Sequence, residues 1–155
     1  MIEDLVENAK EELKRADHSI FVSLKYIRTV DIIKSIIKRF ISAYEMTFDD
    51  ILHHLKKSKK IKEIPGSIVQ KTELVKNKLP QLSEEIEFYY LLRNIDKARY
   101  ERHEEYKKNV ALIAYVQQKK VSINIEILRQ YFEKAVLFVS TVDELVHKKS
   151  NKSKK

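Results

Sequence analysis

Tyr89-Tyr90-Leu91-Leu92-Arg93-Asn94-Ile95-Asp96-Lys97-Ala98-Arg99-Tyr100-Glu101-Arg102-His103-Glu104-Glu105-Tyr106-Lys107 is the stretch on which the reading of this chain turns. At 3.6 residues per turn it sorts its side chains by type. Tyr89, Arg93, Asp96, Tyr100, His103 and Lys107 fall on one face. Phe88, Leu91, Leu92, Ile95, Tyr106, Val110 and Ile113 fall on roughly the opposite one. Arg99 and Arg102 lie on or beside the apolar face, where a guanidinium must be paired or reach water with its head. Asp17 or Asp31, from a neighbouring helix, is the expected partner. The spacing predicts one α-helix through residues 89–107 whose polar side meets something other than bulk water.

Outward from this stretch, the helical pattern extends in both directions. Ser83-Glu84-Glu85 supplies a cap and two first-turn acids, so the helix is expected to run from there to about Val116. Gln117-Gln118-Lys119-Lys120 reads as a polar break, and Val121 to Asn124 as a short extended entry with Ser122 or Asn124 as cap. A last helix to about His147 follows on Ile127, Leu128, Tyr131, Phe132, Ala135, Phe138, Val139 and Val142. Upstream, Leu5, Val6, Ala9, Leu13, Ala16, Ile20, Leu24 and Ile27 predict a first helix over about 3–27. Thr29 and Asp31 form a cap and first-turn acid for a second, with a wide apolar stripe from Ile32 to Leu55. Ile64-Pro65-Gly66-Ser67 is a turn, a short helix spans about 67–78, and Pro80 ends it.

The expected fold is therefore all-α: a mostly antiparallel bundle of four long helices plus one short helix, in a single domain over residues 1–147. One glycine and two prolines in 155 residues argue against a hairpin-rich fold, since tight hairpin turns need positive φ. Residues 148–155 hold no apolar side chain and are expected to be a basic disordered tail. The net charge of +8 resides in two lysine clusters. Lys56, Lys57, Lys59, Lys60 and Lys62 form one; Lys148, Lys149, Lys152, Lys154 and Lys155 form the other. Together they exceed the whole net excess, so the body is nearly neutral. With no cysteine, no apolar run long enough to span a bilayer and an acidic N-terminus, a cytoplasmic protein without membrane contact is expected.

Several chemistries are excluded. A lone glycine, Gly66, cannot build a phosphate-binding glycine loop. His103-Glu104-Glu105-Tyr106-Lys107 begins like a zinc-protease helix, but Lys107 stands where the second histidine belongs. Asp49, Asp50, His53 and His54 give two i,i+4 pairs with no third ligand, and read as local ion pairs on the helix surface. No metal and no cofactor are expected.

Arg93-Asn94 followed by Tyr100, ahead of a break and a C-terminal amphipathic helix, resembles the HEPN superfamily of small helical-bundle proteins. Its active members carry Arg-x4-His-x-Tyr, with Arg93, Asn94 and Tyr100 standing at the arginine, polar and tyrosine positions. Ala98 occupies the histidine position. The resemblance implies a homodimer with a shared cleft and metal-free RNA cleavage in active members. Alanine cannot move a proton, so it implies a non-catalytic binder here. The expectation is a protein binding RNA or a protein partner through Tyr89, Arg93, Asp96, Arg99, Tyr100, Arg102 and His103, with no catalytic residue. The alternatives are a metal-independent ribonuclease using His103, and a structural homo-oligomeric assembly subunit.

Overall fold

A computed structural model describes residues 4–148, the side chain of Lys148 excepted; the expected tail otherwise lies outside the described residues. Helix α1 covers Leu5–His18, passes through a π-helical turn, Ser19–Ser23, and closes with Leu24–Tyr26. A three-residue link, tightened by a Thr29 N–H bond to the Ile27 carbonyl, leads to α2, Val30–Lys57. Thr29 caps α2 as expected, its hydroxyl accepting from the Ile32 amide. Lys59 then takes a positive φ of 63° and Lys60 N–H returns to the Leu55 carbonyl at 2.9 Å, closing the helix end. Ser67 caps the short α3, Ile68–Lys78, and Pro80 opens a 3-10 turn, Pro80–Leu82. Helix α4 is Ser83–Lys97 and α5 is Ile125–Asp143, followed by a π-helical turn, Glu144–Lys148.

Cross-contacts fix the helix directions. Arg39 meets Glu12 while a short link joins α1 to α2, so these two form an antiparallel pair. Asp96 meets Lys38 and Tyr89 meets Glu45, so α4 also runs antiparallel to α2. Phe138 stacks on Tyr44 and His147 bonds Asp50, so α5 runs with α2. The result is an up-down-up-down body around α2. Its centre is aromatic: the Tyr44 and Phe138 rings stack at 4.5 Å, and Phe48 packs edge-on to Tyr89 at 5.2 Å. Such ring pairs add about 0.5–1.5 kcal/mol each beyond their burial.

The protein is mostly helical, but not all-α. The fourth helix ends at Lys97 instead of continuing to Val116, and Ala98 is already extended at φ −70°, ψ 153°. A three-stranded antiparallel meander fills the span before α5: β1 Tyr100–His103, β2 Ala111–Val116 and β3 Lys119–Ile123, in order β1-β2-β3. Tyr100 pairs with Ala114 and Leu112 with Ile123. The physical reason lies in the apolar pattern. Between Ile95 and Val110 stand only Ala98, Tyr100 and Tyr106, so no aliphatic side chain larger than alanine would hold a helix to the body there. From Val110 to Val116, by contrast, the chain is continuously apolar, as in a strand buried on both faces. Val110, Ala111, Leu112 and Ala114 are indeed buried.

Scarce glycine did not prevent a hairpin. Gln117 and Gln118 take φ of 51° and 68° and make the two-residue β2–β3 turn themselves. The position read as a polar break is a reversal of direction. Asn124 then caps α5, its side-chain oxygen accepting from Ile127 N–H at 2.9 Å.

Candidate nucleic-acid interface

Because residues 89–107 are not one helix, the polar stripe expected along them does not exist. Tyr89 is fully buried, and its hydroxyl donates to Glu45 at 2.5 Å. Burial first, then that bond to a carboxylate, pushes its phenol well above the usual tyrosine range. Arg93 lies over the Tyr89 ring at 5.8 Å, and Asp96 is engaged by Lys38 at 3.1 Å. Arg99, just before β1, stacks on Tyr115 at 5.0 Å. Tyr100 on β1 receives Lys34 at 4.2 Å over its ring. Arg102 pairs with Asp31 at 2.9 Å and Glu105 at 3.2 Å, so Asp31 is the counter-ion expected for one of these arginines. Arg93 and Tyr100 therefore sit on a helix and a strand rather than along one helix face. Of the seven residues, His103 alone lines the basic cleft described below.

The meander docks on the α1–α2 corner through the β1–β2 loop. Glu105 accepts from the Val30 amide at 2.9 Å, acting as a second cap on α2. Tyr106 N–H donates to the Arg28 carbonyl at 2.6 Å. Glu104 and Tyr106 take φ of 48° and 66° to make both contacts.

This clasp closes one wall of a cleft of about 750 Å³ between the end of α1, the sheet and the start of α5. Lys25, Arg28, His103, Lys108 and Arg129 bring basic side chains to it; Glu126 is the one carboxylate among its lining residues. Asn109, Ser122 and Asn124 add neutral hydrogen-bonding groups. Asn124, Ile125 and Glu126, at the start of α5, also line the cleft, where the helix dipole favours an anion. The π-helical turn carries Phe21, whose ring holds the Arg129 guanidinium at 5.0 Å. Nε of Arg28 is buried without a hydrogen-bond partner. A buried donor left unmade costs roughly 1–3 kcal/mol, more when it is charged, unless an acceptor meets it.

Lys25, Arg28, Lys108 and Arg129 were not legible as a site in the sequence, since they come from three separate segments. Each segment alone carries an unremarkable charge.

The second titratable cluster lies partly below the surface. Asp50 is buried and bonds His147 at 2.8 Å, while Asp49 pairs with Lys71 at 2.9 Å. The expected local i,i+4 pairs are thus replaced by partners from α5's terminal turn and α3. Burial raises the Asp50 carboxyl above its usual range, and burial, then the neighbouring His147, lowers His54. Among the described residues, no group of three or more His, Cys, Asp or Glu is placed to hold a metal ion. Nor is any described helix long and apolar enough to cross a membrane.

No family model matches the sequence, and neither a curated protein nor a solved structure matches it.

Proposed function

We propose that this chain is a non-catalytic RNA-binding protein whose RNA site is the cleft between α1, the meander and α5. The observation that carries the reading is the convergence of Lys25, Arg28, Lys108 and Arg129 on one concavity. Arginine offers phosphate a planar fork of donors, and lysine a point charge. A HEPN-like assignment belongs to the same proposal. It is supported by the helical body and by Arg93-Asn94 near the end of α4, and Ala98 at the histidine position favours binding over cleavage. Cytoplasmic residence and a homodimeric state are part of it too; Leu137, 66% exposed on α5, is a surface a second copy would cover.

Fluorescence anisotropy with a labelled RNA oligonucleotide tests the reading. Affinity should fall steeply with salt, the logarithmic slope being roughly 0.7 per phosphate neutralised on a single strand. Arg28→Ala and Arg129→Ala should each weaken binding and make that slope shallower. Binding that ignores salt and both substitutions would overturn the proposal.

His103 in the same cleft favours one second reading, a metal-independent ribonuclease. RNA recovered intact after long incubation with concentrated protein would remove it.

A further inference from the structure

The cleft has a rim that cation chemistry does not explain. Tyr26 is 78% exposed, Tyr106 76% and Phe21 47%. Phe21 lines the cleft and holds Arg129, while Tyr26 and Tyr106 adjoin its lining residues: Tyr26 follows Lys25 in the chain, and the Tyr106 amide is bonded to the Arg28 carbonyl. Tyr106 is notable for its backbone. A bulky residue at φ 66° is strained, and glycine or asparagine would take that place at lower cost. Its amide bond to Arg28 and the Glu105 bond to Val30 hold it there, with the ring left in solvent. Strain kept at an exposed aromatic beside a charged cleft points to a ligand for the ring.

Resting on the RNA reading of the cleft, we infer that the site selects single-stranded over duplex RNA. The backbone phosphates lie along Arg28, Lys108 and Arg129, and bases flanking them stack on Tyr26 and Tyr106. Every base presents a π-face, so this recognition tolerates any sequence, but only an unpaired strand can turn its bases outward. A duplex keeps its bases stacked on one another and offers the cleft phosphates alone. Charge complementarity is what favours a polyanion over an apolar partner here, because basic side chains line the cleft beside these aromatic residues.

Binding of the full chain to labelled 12-mer oligouridylate and to a 12-base-pair RNA duplex, at the same salt, tests the inference. Unlabelled polyphosphate serves as the competitor that reads charge alone. The single strand should bind more tightly. Tyr26→Ala and Tyr106→Ala should each weaken it roughly five- to a hundredfold while duplex affinity and polyphosphate competition stay unchanged. Tyr26→Phe should retain affinity, since stacking needs the ring and not the hydroxyl. Tyr26 lies on the last helical turn and is almost wholly in water, so its replacement tests the ring without disturbing the core. Equal affinity for both RNAs, or tyrosine variants that bind like the parent, overturns the inference and leaves RNA binding standing. Absence of binding to either RNA overturns both. Concentration-dependent self-association that Tyr26→Ala abolishes would assign the rim to a second copy of the chain and likewise overturn the inference.

Discussion

Helix α2 buries thirteen residues along twenty-eight, from Val30 to Leu55, and meets a neighbour on nearly every side. From Ala98 to Asn124 the chain buries Val110, Ala111, Leu112, Ala114 and Ile123, and is otherwise half-buried or exposed. The first region is held by side chains packed on other helices. The second is held largely by its own backbone ladder and by a few polar clasps, Glu105 to Val30, Tyr106 to Arg28 and Arg102 to Asp31. Core packing there is thin, and the basic cleft lies along this thinner region. The contrast fits a general division of labour, in which a rigid scaffold carries loops whose polar groups remain available.

Four measurements would break or sharpen that contrast. Phe138→Ala removes a ring stacked at the centre of the helical body and should cost about 3–5 kcal/mol in equilibrium urea unfolding. A cost under about 1 kcal/mol would show that the aromatic cluster does not dominate the body. Glu105→Ala removes a polar clasp instead and should cost about 0.5–2 kcal/mol, the range for a lost helix cap. Its signature should be local: faster hydrogen exchange at the Val30 and Tyr106 amides, with core protection unchanged. Uniformly faster exchange would mean that the meander and the helices open together. Gln118→Gly relieves a left-handed turn residue and should stabilise the hairpin by up to about 1 kcal/mol. Destabilisation would indicate that the Gln118 side chain contributes more than its backbone strain costs.

The last measurement is pH. His54 has its proton affinity lowered by burial and by His147, so the folded chain binds fewer protons than the unfolded one just below the ordinary value of 6.5. Stability should therefore fall as pH drops through that window. Asp50, raised by burial, acts in the opposite sense: in the window just above the ordinary aspartate range the folded chain binds more protons, so protonation there favours folding. Melting curves across the histidine range should show a modest loss that His54→Gln flattens. A loss of the same size in His54→Gln would place its origin elsewhere, the clasp of the meander included.

Much of the helical body was legible in the sequence because its signals are local and repeated. Thr29 caps where side-chain chemistry said it would, Pro80 ends the short helix, and Asn124, one of two expected caps, opens the last one, whereas Ser83, expected as a cap, is itself the first helical residue of α4. The error fell where periodicity is ambiguous. Leu91, Leu92 and Ile95 keep helical spacing up to Lys97, and Val110, Ile113 and Val116 continue that spacing by coincidence. A short apolar run such as Val110 to Val116 fits a buried strand or a buried helix equally well. The missing evidence was an absence, the aliphatic gap between Ile95 and Val110. Turn chemistry misled as well, since two glutamines took a conformation for which glycine is the usual sign.

By itself the sequence determined five helical segments, the Thr29 cap and the need for an acid, Asp17 or Asp31, beside Arg99 or Arg102, because capping, periodicity and charge act over a few residues or demand a partner of one kind. Only the tertiary structure decided that Tyr89 is buried against α2, and that the chain reverses after Lys97 and brings His103 to the same cleft as Arg28 and Arg129. A cleft assembled from residues a hundred positions apart has no local signature. Its chemistry comes into being only when the meander folds back onto the α1–α2 corner and brings scattered charges within reach of one anion.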